Sequence, residues 1–142
     1  MALAIWPEEE LPRPARNGFR EENGEGRRLF MPDDGPPLSR KRRSRVVDTI
    51  ALILDVTNNQ RARIERFVND ELDEGNDFFI MPDWSRHEIP MLTNNGQVIT
   101  DGDGNTILLS AYMIAMFDEG GLPSYAPRGV DWQVSMRILR MP

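Results

Sequence analysis

The fold is decided by residues 46–82, whose sequence is VVDTIALILDVTNNQRARIERFVNDELDEGNDFFIMP. Apolar residues recur at every second position from Ile50 to Val56, and this period of two predicts a strand with one buried face. Residues 78–81 have no polar side chain, so they predict a second, short strand that is buried on both sides. The segment between these two strands predicts a helix.

The helix is predicted over about residues 58–74. Thr57 and Gln60 have the spacing of a capping box, in which the hydroxyl accepts a backbone N–H and the glutamine side chain returns to the backbone of the cap. Gly75 is expected to end the helix in a left-handed conformation. Four apolar residues form a single stripe at helical spacing, with charged residues on the other side: Ile64, Phe67, Val68 and Leu72.

The C-terminal half of the chain is predicted to be mostly strand. Residues 130–138 alternate apolar and polar side chains, which indicates a strand with one face on the core. Residues 106–117 are almost continuously apolar, which favours a long central strand, although Met113 and Met116 leave a helix as the alternative. Residues 83–97 and 118–129 are predicted to be long loops. The predicted fold class is α+β, a mostly antiparallel sheet or sandwich with one flanking helix and an extended N-terminal arm.

Residues 1–45 are predicted to be this arm, attached to a single α+β domain of residues 46–142. Prolines interrupt the first 37 positions, and no helical or strand period survives between them. The arm carries a net charge of +2 and the domain a net charge of −8, so copies of the chain could attract one another head to tail. Trp6, Phe19 and Phe30 are poor residues for a solvated tail, which predicts that the arm lies against its own domain or a neighbour.

The composition excludes several classes of protein. The chain has no cysteine, which excludes disulfides and thiolate metal sites. Its longest apolar run is too short for a membrane-spanning helix, and residues 1–6 are followed by acidic residues instead of a signal-peptide core. We expect a soluble, unprocessed protein without a cofactor.

The densest run of charge is residues 40–45, RKRRSR, which leads into the first predicted strand. A phosphate-binding patch or a nuclear-localisation-like segment is one interpretation. The alternative, which we favour, is an exposed strand start or an interface with an acidic neighbour, because the net charge of −6 opposes nucleic-acid binding. The cations concerned are Arg40, Lys41, Arg42, Arg43 and Arg45.

No catalytic constellation is found in the sequence, and we expect a protein that is not an enzyme. His87 lies near Asp83 and Glu88, which could suggest a metal or acid/base site. It is the only histidine, however, and no motif places a Ser or Cys nucleophile. A loop histidine with local hydrogen bonds is therefore the favoured interpretation.

Residues 101–105, DGDGN, begin like a calcium-binding loop. The match ends at Thr106, where an EF-hand has glycine, and at Tyr112, where it has a bidentate glutamate. Short apolar stretches flank the segment on both sides, and Asp-Gly is a common turn dipeptide. The sequence therefore predicts a hairpin turn here, and no metal.

The order of these features resembles the small tail proteins of tailed bacteriophages, in particular the minor or distal tail proteins of long-tailed phages and their prophage relatives. The resemblance covers most of the chain in order: a Trp-Pro and Pro-rich start, a basic run into a strand, a helix with a glycine after it, a Phe-Phe-Ile-Met-Pro strand and a closing strand. Its motifs are Asn17-Gly18-Phe19, Phe67, Gly75, residues 78–82 and residues 132–138.

The resemblance implies a virion structural subunit that assembles into a ring, threefold or sixfold, in a phage tail built in the host cytoplasm. The implied partners are further copies of the chain and tube, hub, baseplate or receptor-binding proteins of the tail. In this interpretation residues 1–45 lie across the neighbouring copy. The predicted interface residues are Trp6, Phe19, Phe30, Arg40, Lys41, Arg42, Arg43, Arg45 and Trp84.

Two alternatives stay open. One is a head–tail connector or head-completion subunit, in which residues 40–45 would face DNA. The other is a small nucleic-acid-binding protein that uses the same basic run on phosphates. The tail interpretation predicts little affinity for DNA, whereas both alternatives predict salt-dependent DNA binding.

Overall fold

The computed structural model describes residues 3–41 and 46–142. Its single α-helix in these ranges, α1, spans Asn58–Arg66. The strands, in chain order, are β1 (Ala4–Ile5), β2 (Arg20–Glu22), β3 (Arg27–Phe30), β4 (Leu38–Lys41), β5 (Asp48–Val56), β6 (Phe79–Pro82), β7 (Ile89–Pro90), β8 (Leu108–Leu109), β9 (Tyr112–Phe117), β10 (Ser124–Arg128) and β11 (Asp131–Arg140).

Seven of these strands form one sheet in the order β1-β6-β9-β11-β5-β2, with β10 paired to β11 beside this path. All of its pairs are antiparallel except β1 with β6. β3 and β4 form a separate hairpin, and β7 and β8 form a separate short ribbon. The predicted fold class is confirmed: the chain is α+β, dominated by an antiparallel sheet with one helix.

The long strands β5 and β11 are the centre of the sheet. Their register places Trp132 opposite Val56 and Ile138 opposite Ile50. The apolar residues that alternate in β5 are all buried, and so are Val134 and Met136, which face them from β11. Each strand therefore turns its apolar face to the same side, as the period of two in both stretches predicts.

The helix begins where the capping box predicts. The Thr57 hydroxyl oxygen accepts the N–H of Gln60 at 3.4 Å, and the Gln60 side-chain oxygen accepts the N–H of Thr57 at 3.0 Å. Two of the otherwise unpaired N–H groups of the first turn are thereby satisfied. α1 packs on the buried face of β5 and β11.

The helix ends earlier than residue 74. At Phe67 it passes into a π-helical turn, Phe67–Glu71, and the four residues of the predicted stripe are all buried. Gly75 has a φ of 86°, but Asp73 and Glu74 are already left-handed at 50° and 58°. Gly75 is needed for space as well as for conformation, since a Cβ there would lie 2.4 Å from Leu122 Cδ2.

The core between the helix and the sheet is aromatic, and one of its members comes from the N-terminus. Trp6 is 2% exposed, and its ring meets that of Phe67 edge-on at 5.4 Å between centroids. Phe67 meets Phe79 in the same way at 5.5 Å, and Phe79 lies 5.3 Å from Phe117. Such edge-to-face pairs add to the free energy gained by burial alone.

The continuous strand predicted for residues 106–117 is two strands, and the helix alternative is wrong. β9 lies in the main sheet, where Ala115 pairs with Phe79, whereas β8 pairs with β7 in the ribbon. Residues 110 and 111 separate the two strands. One continuous apolar run can therefore form strands of two different sheets, because its periodicity does not indicate which strand it will pair with.

Both predicted loops also contain strands. Residues 89–90 form β7, and residues 124–128 form β10, which pairs with β11 around the two-residue turn of Gly129 and Val130. Gly129 has the positive φ, 61°, that tight hairpin turns require. The prolines at 123 and 127 hid this strand from a periodicity argument, but proline is tolerated on an edge strand such as β10. Phe78, predicted to begin β6, lies outside that strand and is exposed.

Residues 3–41 contain four strands, although no strand period is visible in them. β1 extends the sheet beside β6, and β2 extends it on the opposite edge beside β5. β3 and β4 follow as the separate hairpin. Of the helices in the described ranges, none combines the length and apolar character needed to cross a membrane.

Candidate functional site

The hairpin of β3 and β4, residues 27–41 with a tip at residues 31–37, stands apart from the sheet. Its strands pair with each other and, within the described ranges, with no other strand. Every residue of both strands is exposed. A two-stranded hairpin is only marginally stable in water on its own, so a contact that covers it would stabilise it.

Apolar side chains on the hairpin face water. Phe30 is 63% exposed and Met31 71%, and both precede the turn. Leu38, opposite Phe30 in the register, is 61% exposed, and Leu29 is also exposed. By this register Phe30 and Leu38 share one face of the hairpin and Leu29 lies on the other. Single exposed apolar residues are ordinary, but four of them on one projecting element are characteristic of a surface that binds a protein.

The base of the hairpin concentrates positive charge. Arg27 lies opposite Lys41, and Arg28 lies opposite Arg40. Like charges directly opposite each other destabilise an antiparallel pair, so an acidic partner would relieve this repulsion. One acidic group, Glu25, already pairs with this cluster: it accepts hydrogen bonds from the Arg27 side chain and backbone, which lower the pKa of Glu25 to about 2.

The hairpin is attached to the sheet through a network around Arg140. The Arg140 guanidinium contacts Asp48 at 2.6 Å, Asp83 at 3.1 Å and also Glu21. The other oxygen of the Asp48 carboxylate accepts the N–H of Gly24 at 3.0 Å, just before β3. The hydrogen bond from Arg140, and next the one from Gly24, lower the pKa of Asp48.

A cleft opens on another side of the N-terminal segment, between residues 13–19 and residues 84–89. Its volume is about 580 Å³. Phe19 and Trp84 line it with apolar surface, and the Arg13 guanidinium lies 5.5 Å from the centre of the Trp84 ring. The remaining lining residues are Pro14, Ala15, Arg16, Ser85 and Ile89.

His87 lies next to this cleft, and its ring meets that of Trp84 edge-on at 5.6 Å between centroids. It is buried, and its Nδ1 accepts the N–H of Ala111 at 3.2 Å, so this nitrogen carries no proton and the other ring nitrogen does. Its Nε2 lies 3.6 Å from Glu8 Oε2, and the other oxygen of this carboxylate, Oε1, accepts a hydrogen bond from the Tyr112 hydroxyl at 2.7 Å. The imidazole thus links the N-terminal segment to β9. The closest polar contacts of its side chain are with residues distant in the chain, not the local ones that the sequence predicts.

The turn at residues 101–105 is stabilised by one of its own carboxylates. Asp101 Oδ1 accepts the N–H groups of Asp103 and Asn105, each at 2.9 Å, and these bonds lower the pKa of Asp101. Thr100 and Thr106 pair across the turn, as the hairpin prediction requires. Across residues 3–41 and 46–142, no group of three or more histidine or carboxylate side chains is arranged to hold a metal ion.

The structure divides the predicted interface residues into four groups. Phe30, Arg40 and Lys41 are exposed together on the hairpin, and Phe19 and Trp84 come together in the cleft. The prediction that Trp6 contacts a neighbouring copy is wrong. Its side chain is buried in the core of its own chain and is not available to another copy. The remaining three, Arg42, Arg43 and Arg45, lie outside the described residues.

Sequence reasoning missed the hairpin itself and its other apolar residues, Leu29, Met31 and Leu38. A signal was present, because two four-residue stretches, RRLF and LSRK, flank the turn-forming segment MPDDGPP. The many prolines of the region favoured an extended arm instead. All of these prolines lie outside β3 and β4, in the turn, where they do not interrupt the pairing.

No protein-family model, no curated protein and no solved structure matched the chain.

Proposed function

We propose that this chain is a structural subunit of a bacteriophage tail, which forms a ring at the tail tip or as an adaptor to the hub. In this proposal the hairpin of each copy contacts the body of the next, and the assembled ring holds tube, baseplate or receptor-binding proteins. The protein would act in the virion after assembly in the host cytoplasm, without catalysis. Threefold or sixfold closure is expected.

The observation that carries this proposal is the exposed hairpin. It projects apolar side chains into water and pairs like charges across its strands, and each of these features is unfavourable until another surface covers it. An element of this kind suits a subunit whose final environment is an assembly.

The charge of the body supports a contact between copies. No lysine or arginine occurs between His87 and Arg128, whereas five acidic residues do. The base of the hairpin is basic and this part of the body is acidic, so the two surfaces attract each other, and a contact repeated from copy to copy can close into a ring.

The test is the assembly of the full chain against a variant in which residues 27–41 are replaced by a short Gly-Ser linker. Sedimentation velocity over a range of concentrations should show larger species for the full chain and a monomer for the variant. Electron microscopy of the full chain should show closed rings. Circular dichroism provides the control, since the variant keeps the seven-stranded sheet and should keep its spectrum and its thermal transition.

Two results would contradict the proposal. If the variant without the hairpin assembled like the full chain, the hairpin would not be the contact between copies. If the full chain stayed monomeric at every concentration, the ring would be rejected. Neighbouring genes for tail-tube, tape-measure or baseplate proteins would independently support the tail assignment.

A head–tail connector is the second candidate, and it is favoured by the four cations at the base of the hairpin: Arg27, Arg28, Arg40 and Lys41. In a connector these side chains would face the phosphates of DNA in a channel. Titration of duplex DNA at several salt concentrations separates the candidates, because the slope of log K against log salt is about −0.9 for each phosphate that the protein neutralises. Binding that weakens steeply with salt would favour the connector, and absence of binding at low salt would favour the tail tip.

A further inference from the structure

We infer that the tip of the hairpin of one copy, residues 30–34, binds in the cleft between Phe19 and Trp84 of the next copy. This inference rests on the proposed function, since it names the acceptor surface of the contact between copies. Donor and acceptor are separate surfaces of the same chain. Repetition of the contact therefore adds one copy after another until the ring closes.

The apolar parts of the two surfaces match. The tip presents Phe30 and Met31, the two most exposed of the hairpin's large apolar side chains. The cleft presents the faces of Phe19 and Trp84, with Ile89 at its edge. Its volume, about 580 Å³, lies in the range of sites that enclose several large groups of a ligand. Aromatic side chains that fill such a pocket are the usual anchors of a protein interface.

The charges match as well. The tip continues from Met31 into Asp33 and Asp34, which are exposed in the turn. The cleft carries two arginines, of which Arg13 already lies 3.7 Å from Glu88. Arg16 is exposed, and no ion pair involves it in the part of the chain that the structure describes. The acidic tip would therefore meet Arg16 at the edge of the cleft as a cation of opposite charge.

The hairpin and the N-terminal side of the cleft are joined through the short strand β2. β2 runs antiparallel to β5, from Arg20 opposite Ala51 to Glu22 opposite Thr49. The cleft residues come before β2, where the N–H of Ala15 bonds to the carbonyl of Ile53. The hairpin comes after β2, beyond the contact of Gly24 with Asp48. Donor and acceptor therefore start from opposite ends of β2 and are separate surfaces of the chain.

Cysteine cross-linking tests the contact directly, because the natural chain contains no cysteine. One preparation of the full chain carries Met31→Cys and a second carries Ile89→Cys, both at exposed positions. When the two are mixed with oxidised glutathione, we expect disulfide-linked pairs of chains to form about tenfold or more faster than by random encounter, since the contact raises the local thiol concentration. The rate is read from non-reducing gels.

The matched control replaces the second preparation by one that carries Val130→Cys, at the most exposed large apolar position of the described residues, in the turn between β10 and β11. We expect this pair to cross-link at the random rate. Equal rates for Ile89→Cys and Val130→Cys would overturn the inference. A dilute chain carrying both Met31→Cys and Ile89→Cys that closes within itself would also overturn it, because the tip would then occupy its own cleft.

A charge exchange gives an independent measurement. Arg16→Glu alone, or Asp33→Lys with Asp34→Lys alone, should weaken self-association in sedimentation by about tenfold, and combining all three should restore it. Arg66→Glu, at an exposed position on α1, makes the same change of charge and should leave self-association unchanged. If deletion of residues 27–41 prevents assembly while Arg16→Glu and the cross-linking rates do not respond, the proposed function stands and the cleft is not the acceptor.

Discussion

Residues 3–22 and residues 27–41 look alike in the sequence and differ in the structure. Both are rich in proline and charge, and both contain a few large apolar residues. The first segment places Trp6 and Leu11 in the core and adds β1 and β2 to the sheet. The second forms a hairpin whose strands are exposed throughout, with Phe30 in water.

The two segments differ in which residues they contact. Trp6 meets Phe67 and Phe79, residues that lie more than 60 positions away in the same chain. Phe30 has no such cluster and projects from a hairpin of its own. We therefore interpret the first segment as part of the folding unit of the single chain. We interpret the second as a surface that is covered only when copies of the chain assemble.

The largest change in the free energy of unfolding is expected from Trp6→Ala, which tests whether residues 3–22 belong to the folding unit. Removing this buried ring should cost about 3–5 kcal/mol of the free energy of unfolding, because a cavity is left between Phe67 and Phe79. Urea unfolding followed by circular dichroism measures the loss. Trp6→Phe, which keeps an aromatic ring, should cost less and provides a folded variant if the alanine variant is unstable. An unchanged urea midpoint for Trp6→Ala would show that the segment is not part of the folding unit.

A smaller loss is expected from Arg140→Met, which acts at the junction of the two segments. The Arg140 guanidinium forms ion pairs with Glu21 of the first segment and with Asp48. Asp48 in turn accepts the N–H of Gly24, just before the hairpin. Its removal leaves the buried Asp83 without this cation, so we expect a loss of about 3 kcal/mol, at the low end for a buried pair because Asp48 and Glu21 are partly exposed. The comparison variant is Arg137→Met, whose ion pair with Asp118 is more exposed and should contribute under about 1 kcal/mol. Equal losses for the two variants would contradict this role of the network.

The same junction predicts a dependence on pH. The pKa of Asp48 is lowered in the folded protein, mainly by its hydrogen bond with Arg140. A carboxylate with a lowered pKa stabilises the fold above its unfolded pKa of about 3.9, and that contribution is lost as the pH falls through the lower folded value. Stability should therefore decrease from about pH 5 downwards, and the decrease should be smaller in Arg140→Met. Urea unfolding at several pH values measures both slopes, and parallel curves would reject Asp48 as a source of the dependence.

The smallest change in the free energy of unfolding of the monomer is expected from Phe30→Ser, which tests whether residues 27–41 lie outside the folding unit. Because the side chain is exposed, the free energy of unfolding of the dilute monomer should change by less than about 0.5 kcal/mol. Self-association should weaken at the same time, because Phe30 would be buried only in the assembly. Unfolding at low protein concentration and sedimentation at high concentration separate the two effects. A large loss in the dilute monomer would place Phe30 in the fold instead.

Much of the fold follows from local patterns. The period of two in β5, the capping box at Thr57 and the alternation in β11 each predict the observed element, because the residues that form the pattern are neighbours in the chain. The hairpin turn at residues 101–105 is predicted for the same reason. The strand β10 is not, because its prolines argue against a strand unless its position at the edge of the sheet is known.

The candidate site could be predicted only in part. Phe19 and Phe30 stand out as poor residues for a solvated arm, yet nothing local indicates that Phe19 shares a cleft with Trp84 while Phe30 lies on a separate hairpin. Trp6 was selected on the same grounds and belongs to the core. Exposure is a property of the whole fold, so composition alone does not separate a core tryptophan from an interface tryptophan.

The amino-acid sequence is enough to predict the type of the long strands, the start of the helix, and the opposite net charges of residues 1–45 and 46–142. The first two depend on residues that are close together in the chain, and the third is a sum of charges. The tertiary structure alone decided that residues 3–22 belong to the core and that residues 27–41 do not. It also decided that one apolar run, residues 106–117, serves two sheets. The physical reason is that burial and strand pairing depend on distant residues, and a local period records only that a face is apolar, not what will cover it.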